Sequence, residues 1–130
     1  MKKTDIKSLP FPELEQWVLE QGEPKYRARQ LYQWMHQKMA ADVAEMSNIP
    51  DSLKQKTRTE CKYTVLRQAA CQVSGQDGTR KYLFRLNDGN MVESVLMKYR
   101  HGYSVCVSSQ VGCRMGCRFC ASTVGGLVRD

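Results

Sequence analysis

Tyr103-Ser104-Val105-Cys106-Val107-Ser108-Ser109-Gln110-Val111-Gly112-Cys113-Arg114-Met115-Gly116-Cys117-Arg118-Phe119-Cys120 is the stretch on which the reading of this chain turns. From Tyr103 to Ser108, larger apolar side chains alternate with smaller ones, the period of a strand. That strand runs straight into a loop whose cysteines at 113, 117 and 120 have the spacing C-x3-C-x2-C. A strand that delivers the chain into a ligand-bearing loop has the form of the first βα unit of a parallel fold. In such folds the sites gather at the C-terminal ends of the strands.

Three thiols so close together, beside Gly112 and Gly116, suit an iron–sulfur cluster. A cubane cluster ordinarily takes a protein thiolate on every iron, so three ligands leave one iron free for a small molecule. Zinc fits the spacing poorly. Structural zinc sites combine two Cys pairs or a Cys pair with a His pair, and His36 and His101 form no such pair. Cys61 and Cys71 stand apart from the triplet and read as ordinary reduced, partly buried residues.

Upstream, the alternation of Tyr82, Phe84 and Leu86 ends at Asn87-Asp88-Gly89-Asn90, a hairpin signal, and a return strand is expected over Met91 to Tyr99. Glu93 then shares a face with Met91, Val95 and Met97. A carboxylate there either bends to solvent, pairs with Arg80 or Arg85, or is desolvated with a raised pKa suited to acid–base work. Cys106 lies on the strand leading to the cysteine loop; by itself it reads as a core cysteine.

The first half reads as helical. Pro12 to Gln21 places Leu14, Trp17 and Val18 on one face, with Gly22 just beyond. Tyr26 to Met39 carries Leu31, Trp34 and Met35, and Asp51 to Cys61 is a third short helix with Ile49 and Leu53 as anchors. Trp17 and Trp34 are the expected core anchors. Lys25, Arg27 and Arg29 form either a phosphate-contacting group or a solvated helix face.

A composition of 42% apolar and 25% charged residues excludes global disorder. The formal charge of +7 favours a polyanionic partner, nucleic acid first. No apolar run approaches the roughly 18 residues of a membrane span, and no signal peptide is read at the N-terminus, so a cytoplasmic protein with reduced cysteines is expected.

The stretch from Val105 to Thr123, with its Ser-Ser-Gln-Val-Gly lead-in, resembles the cluster loop of the RlmN/Cfr family of radical S-adenosylmethionine RNA methyltransferases. Asp88 to Met97 resembles that family's hairpin, and Tyr26-Arg27-Ala28-Arg29-Gln30-Leu31 with Trp34-Met35 its helical accessory domain. The Val-Gly-Cys and Ala-Ser-Thr flanks are closer to the RlmN branch than to the Cfr branch. Gly126-Leu127-Val128-Arg129-Asp130 departs from the family's usual Arg-Asn-Leu continuation.

The resemblance implies that Cys113, Cys117 and Cys120 hold a [4Fe–4S] cluster whose free iron chelates S-adenosylmethionine, with Phe119 near the cofactor's adenine. It implies that a methyl group first placed on a cysteine outside this chain is transferred by radical chemistry to C2 of an adenosine in 23S rRNA or tRNA. Glu93 is then the base that removes the C2 proton, and Cys106 releases the protein–RNA crosslink through a transient disulfide. A reducing partner such as flavodoxin and a monomeric state go with it. The expected architecture is α+β, with a helical RNA-binding accessory domain over residues 1–61. Residues 62–130 add a β-hairpin and then the first strand and cluster loop of an incomplete (βα)6 partial TIM barrel. On that reading the chain is an N-terminal portion. The alternatives are an inactive truncated product serving at most as a basic RNA-binding module, or Cfr-like methylation at C8.

Overall fold

The computed structural model describes residues 2–130, and the chain divides into two units that meet in sequence at Val65 and Leu66. The first unit begins with a short strand β1 (Thr4–Asp5) and continues through helices α1 (Phe11–Glu20), α2 (Tyr26–His36) and α3 (Asp51–Glu60) to strand β2 (Cys61–Lys62). β1 and β2 pair in parallel, Thr4 opposite Cys61 and Asp5 opposite Lys62. This pairing keeps the chain in the first unit beyond residue 61.

The helices are 10, 11 and 10 residues long. Isolated helices shorter than about 12–15 residues are marginal in water, so packing must hold these three in place. Each contributes an apolar stripe: Leu14 and Val18 from α1, Ala28, Leu31 and Met35 from α2, Leu53 from α3. Ile6, Val43, Met46 and Ile49 from the connecting segments complete the core. Burying a side chain of this kind contributes roughly 1.5–3 kcal/mol. Thr57, the buried polar residue, donates its hydroxyl to the Leu53 carbonyl at 2.9 Å.

Trp17 and Trp34 do not sit at the centre of this core; both are partly buried and pack against its flank. Trp34 keeps its indole N–H near the surface, donating to Asn48 Oδ1 at 2.6 Å, with the Lys38 ammonium 3.8 Å from the ring centre. An indole N–H needs a partner when buried, and the edge of the core supplies one. α2 also ends at His36 rather than Met39. Met39 adopts φ 54°, and the Lys38 and Ala40 amides turn back to the Gln33 and Trp34 carbonyls.

The second unit is built on a four-stranded antiparallel sheet in chain order: β3 (Arg67–Val73), β4 (Arg80–Arg85), β5 (Met91–Tyr99) and β6 (Gly102–Val107). The hairpin expected around Asn87 to Asn90 is present between β4 and β5. β3 adds a strand that periodicity did not announce, because Arg-Gln-Ala-Ala-Cys-Gln-Val lacks apolar alternation. β6 is an edge strand of this sheet and runs antiparallel to β5, Val95 facing Cys106. Only the short Arg100–His101 turn separates the two strands, whereas a parallel crossover needs a dozen or more residues.

After β6 the chain forms β7 (Val111–Gly112), the cysteine loop, a 3-10 turn at Ala121–Thr123 and β8 (Leu127–Arg129), which pairs antiparallel with β7. Val111 is the one buried residue among the described residues of this unit; both faces of the sheet are partly or fully exposed. No helix among the described residues is long and apolar enough to cross a membrane.

Candidate functional site

The cysteine loop is pinned at its base. Gly112 opposes Leu127 and has φ +79°, a conformation that favours glycine. A Cβ placed on it would lie 1.9 Å from the Gly126 carbonyl oxygen. That close approach lets the Cys113 amide donate to Gly126 O at 3.1 Å. At the far end, the Thr123 hydroxyl lies 2.9 Å from both the Cys117 and the Cys120 carbonyl oxygens, and the Cys120 amide donates to Cys117 O. The backbone of the arc is thus held at both ends by its own flanking residues.

Within that arc all three thiols are free and half-buried. Three thiols on one short loop are the right donor set for an iron–sulfur cluster in kind. Their sulfurs do not converge: among the described residues, no three Cys, His, Asp or Glu side chains are close enough together to hold one metal ion. The backbone closure is in place while the side chains remain ungathered. Phe119 is 93% exposed, and Met115 in the same loop is also exposed.

Glu93 and Cys106 share one face of the sheet. Lys81 and Cys106 both face Val95 in the register, and Glu93 lies two residues along β5 from Val95. The desolvated carboxylate considered from the sequence is not what the structure contains. Glu93 is about half exposed and forms an ion pair with Lys81 at 3.1 Å, rather than with Arg80 or Arg85. In an antiparallel sheet, residues diagonal across neighbouring strands are within reach of a long side chain. Lys81 occupies that position and is on Glu93's face, whereas Arg80 projects to the other. The Ser108 hydroxyl donates to the Glu93 carbonyl at 2.6 Å, so the exit of β6 is also tied to Glu93. Cys106 is exposed, not a core cysteine.

Cys61 and Cys71 lie outside this arrangement. Burial pushes the Cys61 thiol up to about 11, as fits an inert residue of the helical core. The sequence pattern placed Asp88 in the turn and gave it no partner; in the structure it joins the hairpin turn to β8 through Arg129 at 2.5 Å. The Arg129 hydrogen bond holds the Asp88 carboxyl down at about 2, aided by Asn90. The Asp-Gly pair announced a turn, and nothing local announced its distant partner.

The charge is unevenly divided. Residues 66–130 hold nine basic and four acidic side chains, against eleven and nine in residues 1–65. Of the three basic residues singled out in the helical half, Lys25 pairs with Glu15 at 2.9 Å. Arg27 donates to the Asn48 carbonyl at 2.7 Å and to Gln30 at 2.8 Å. Arg29 is exposed.

Residues 4–62 match the family model described as the ribosomal RNA large subunit methyltransferase N-terminal domain. The chain is 60% identical over 127 residues to a probable dual-specificity RNA methyltransferase RlmN of Lachnospira eligens, covering 98% of this chain and 36% of that protein. It is 47% identical to the protein of the same name in Bacillus thuringiensis, covering 99% of this chain and 35% of the relative. The crystal structure of a radical SAM methyltransferase from Sphaerobacter thermophilus superposes with a TM-score of 0.86 at 40% identity, over 97% of this chain and 37% of that one. The similarity therefore runs through the helical unit, the sheet and the cysteine loop together. By these matches residues 4–62 belong to the family of that N-terminal domain, and along nearly its whole length the chain is similar to proteins named RlmN, of which it spans about a third.

Proposed function

We propose that this chain forms part of a radical S-adenosylmethionine methyltransferase that methylates C2 of adenosine in 23S rRNA and tRNA in the cytoplasm. The observation that carries the reading is the closed backbone of the cysteine loop, with three free thiols on it and no competing use for them. Cys113, Cys117 and Cys120 are the residues that hold a [4Fe–4S] cluster, their side chains gathering as it binds. When bound, such a cluster offers one iron to S-adenosylmethionine and passes it the electron that breaks its sulfonium bond, the electron coming from a flavodoxin-like donor.

The chain's own residues supply binding and proton handling. Phe119, exposed beside Cys120, offers an aromatic face to the adenine of the cofactor. Glu93 takes the C2 proton from the adenine while its C2 is still linked to the protein through the transferred carbon, and Lys81 holds the carboxylate in place beforehand. Cys106, on the same face, attacks the sulfur that links protein and RNA. A disulfide forms with the methyl-carrying cysteine of a longer protein. The RNA-bound carbon leaves with the electrons of the broken bond and takes up a proton, balancing the one the Cys106 thiol gives up, to become the methyl group. β6 and the cysteine loop then stand at the entry to a (βα)6 partial barrel completed by further residues of that longer protein. The helical unit serves as an RNA-facing accessory domain, and the enzyme acts as a monomer.

The test is anaerobic reconstitution of the chain with iron and sulfide, read by cluster absorption. Cys113→Ala, Cys117→Ala and Cys120→Ala should each abolish the signal, whereas Cys71→Ala and Cys106→Ala should leave it. A cluster that survives loss of any one of the three would refute this ligand assignment. The 130 residues alone should hold the cluster weakly and methylate no RNA.

A further inference from the structure

We propose that Asp88 is a positioning residue for the cysteine loop, acting through Arg129. The turn between β4 and β5 closes with the Leu86 amide on the Asn90 carbonyl at 2.8 Å and the Asn90 amide on Asp88 Oδ1 at 3.0 Å. The other carboxylate oxygen, Oδ2, accepts from Arg129 Nε at 2.5 Å, across 41 residues of sequence. Arg129 sits directly opposite Val111 in the β7–β8 pair, and the next residues on β7's side are Gly112 and the pinned Cys113. One line of contacts therefore runs from the hairpin turn to the first cysteine.

β7 and β8 are too short to stay paired alone, since even a full isolated hairpin is marginal in water. The Asp88–Arg129 contact is a side-chain tie between this small pair and the hairpin turn of the large sheet. β5 starts at Met91, just after the same turn, and carries Glu93. The latch therefore sets the register of the cysteine loop against the strand of Glu93, a consequence that rests on the function proposed above. The contact itself stands without it.

The experiment uses the whole chain and two variants. Asp88→Asn keeps an acceptor for the Asn90 amide while removing the charge, and Arg129→Gln leaves Asp88 and its turn intact. Amide hydrogen exchange, read by NMR on the chain without iron, should show the Cys113 amide exchanging roughly two- to fivefold faster in each, as for an exposed ion pair. The double variant should exchange no faster than either single one, the mark of a coupled pair. Amides in the middle of β4 and β5 should not change. Equal acceleration throughout the sheet, or none at Cys113, overturns the latch.

A second readout follows the reconstituted cluster. Both variants should lose its absorption two- to fivefold faster than the unaltered chain. If exchange responds but cluster lifetime does not, the positioning role is overturned. If the unaltered chain takes up no cluster, the proposed function fails while the exchange result still decides the latch.

Discussion

Replacing Gly112 by alanine should open the base of the cysteine loop. The residue has φ +79°, which costs an L-amino acid about 1–2 kcal/mol. Its new methyl group would meet the Gly126 carbonyl oxygen at 1.9 Å, the carbonyl carbon at 3.0 Å and Leu127 Cα at 3.3 Å. All three are backbone atoms, so no side chain can rotate away. β8 must retreat, and the Cys113–Gly126 hydrogen bond is lost, a further net cost of about 0.5–1.5 kcal/mol. Together these come to about 1.5–3.5 kcal/mol, or a roughly ten- to three-hundredfold loss of closure. Hydrogen exchange of the Cys113 amide is the direct assay, and cluster uptake the functional one. Gly116→Ala is the control: its φ is +67° but nothing lies within 4 Å, so it carries the backbone strain without the clash. Unchanged Cys113 protection in Gly112→Ala, or an equal effect from Gly116→Ala, would refute the close-approach argument.

Leu53→Ala, which empties a fully buried position in the helical core, should cost about 2–5 kcal/mol by denaturant unfolding. Arg27→Glu should destabilise the helical unit, because its guanidinium is committed to the Asn48 carbonyl. Arg29→Glu should leave stability within about 0.5 kcal/mol and is the cleaner test of phosphate contact, lowering RNA affinity and its salt slope if the contact exists. An NMR titration of Asp88 should give a midpoint near 2. Since that lies below the usual carboxylate value of about 3.9, the pair's contribution is present above about pH 4 and disappears as pH falls through about 2. Arg129→Gln should raise the midpoint, and no movement would remove Arg129 as its cause.

Much of the local structure was legible because its causes are local. The apolar stripes of the helices, the Asn-Asp-Gly-Asn turn and the β5 strand follow from side-chain period and backbone preference. The cysteine spacing pointed to a three-thiol site for the same reason. β3 was not legible, since it is held by its ladder to β4 and presents little apolar alternation. The pairing of β6 with β5 was not read from the pattern either, although the short turn at Arg100–His101 imposes an antiparallel return.

By itself the sequence determined the thiols on offer, their spacing, the turn that precedes Glu93 and the surplus of positive charge. Only the tertiary structure decided which groups meet. It put Glu93 and Cys106 on one face, chose Lys81 over Arg80 and Arg85 as the carboxylate's partner, and closed the cysteine loop by bringing Gly112 against Gly126. It also joined Asp88 to Arg129. Spacing along a chain fixes which residues share a face, but contacts across tens of residues depend on strand register. Register is a collective result of pairing every strand at once, and no local pattern contains it.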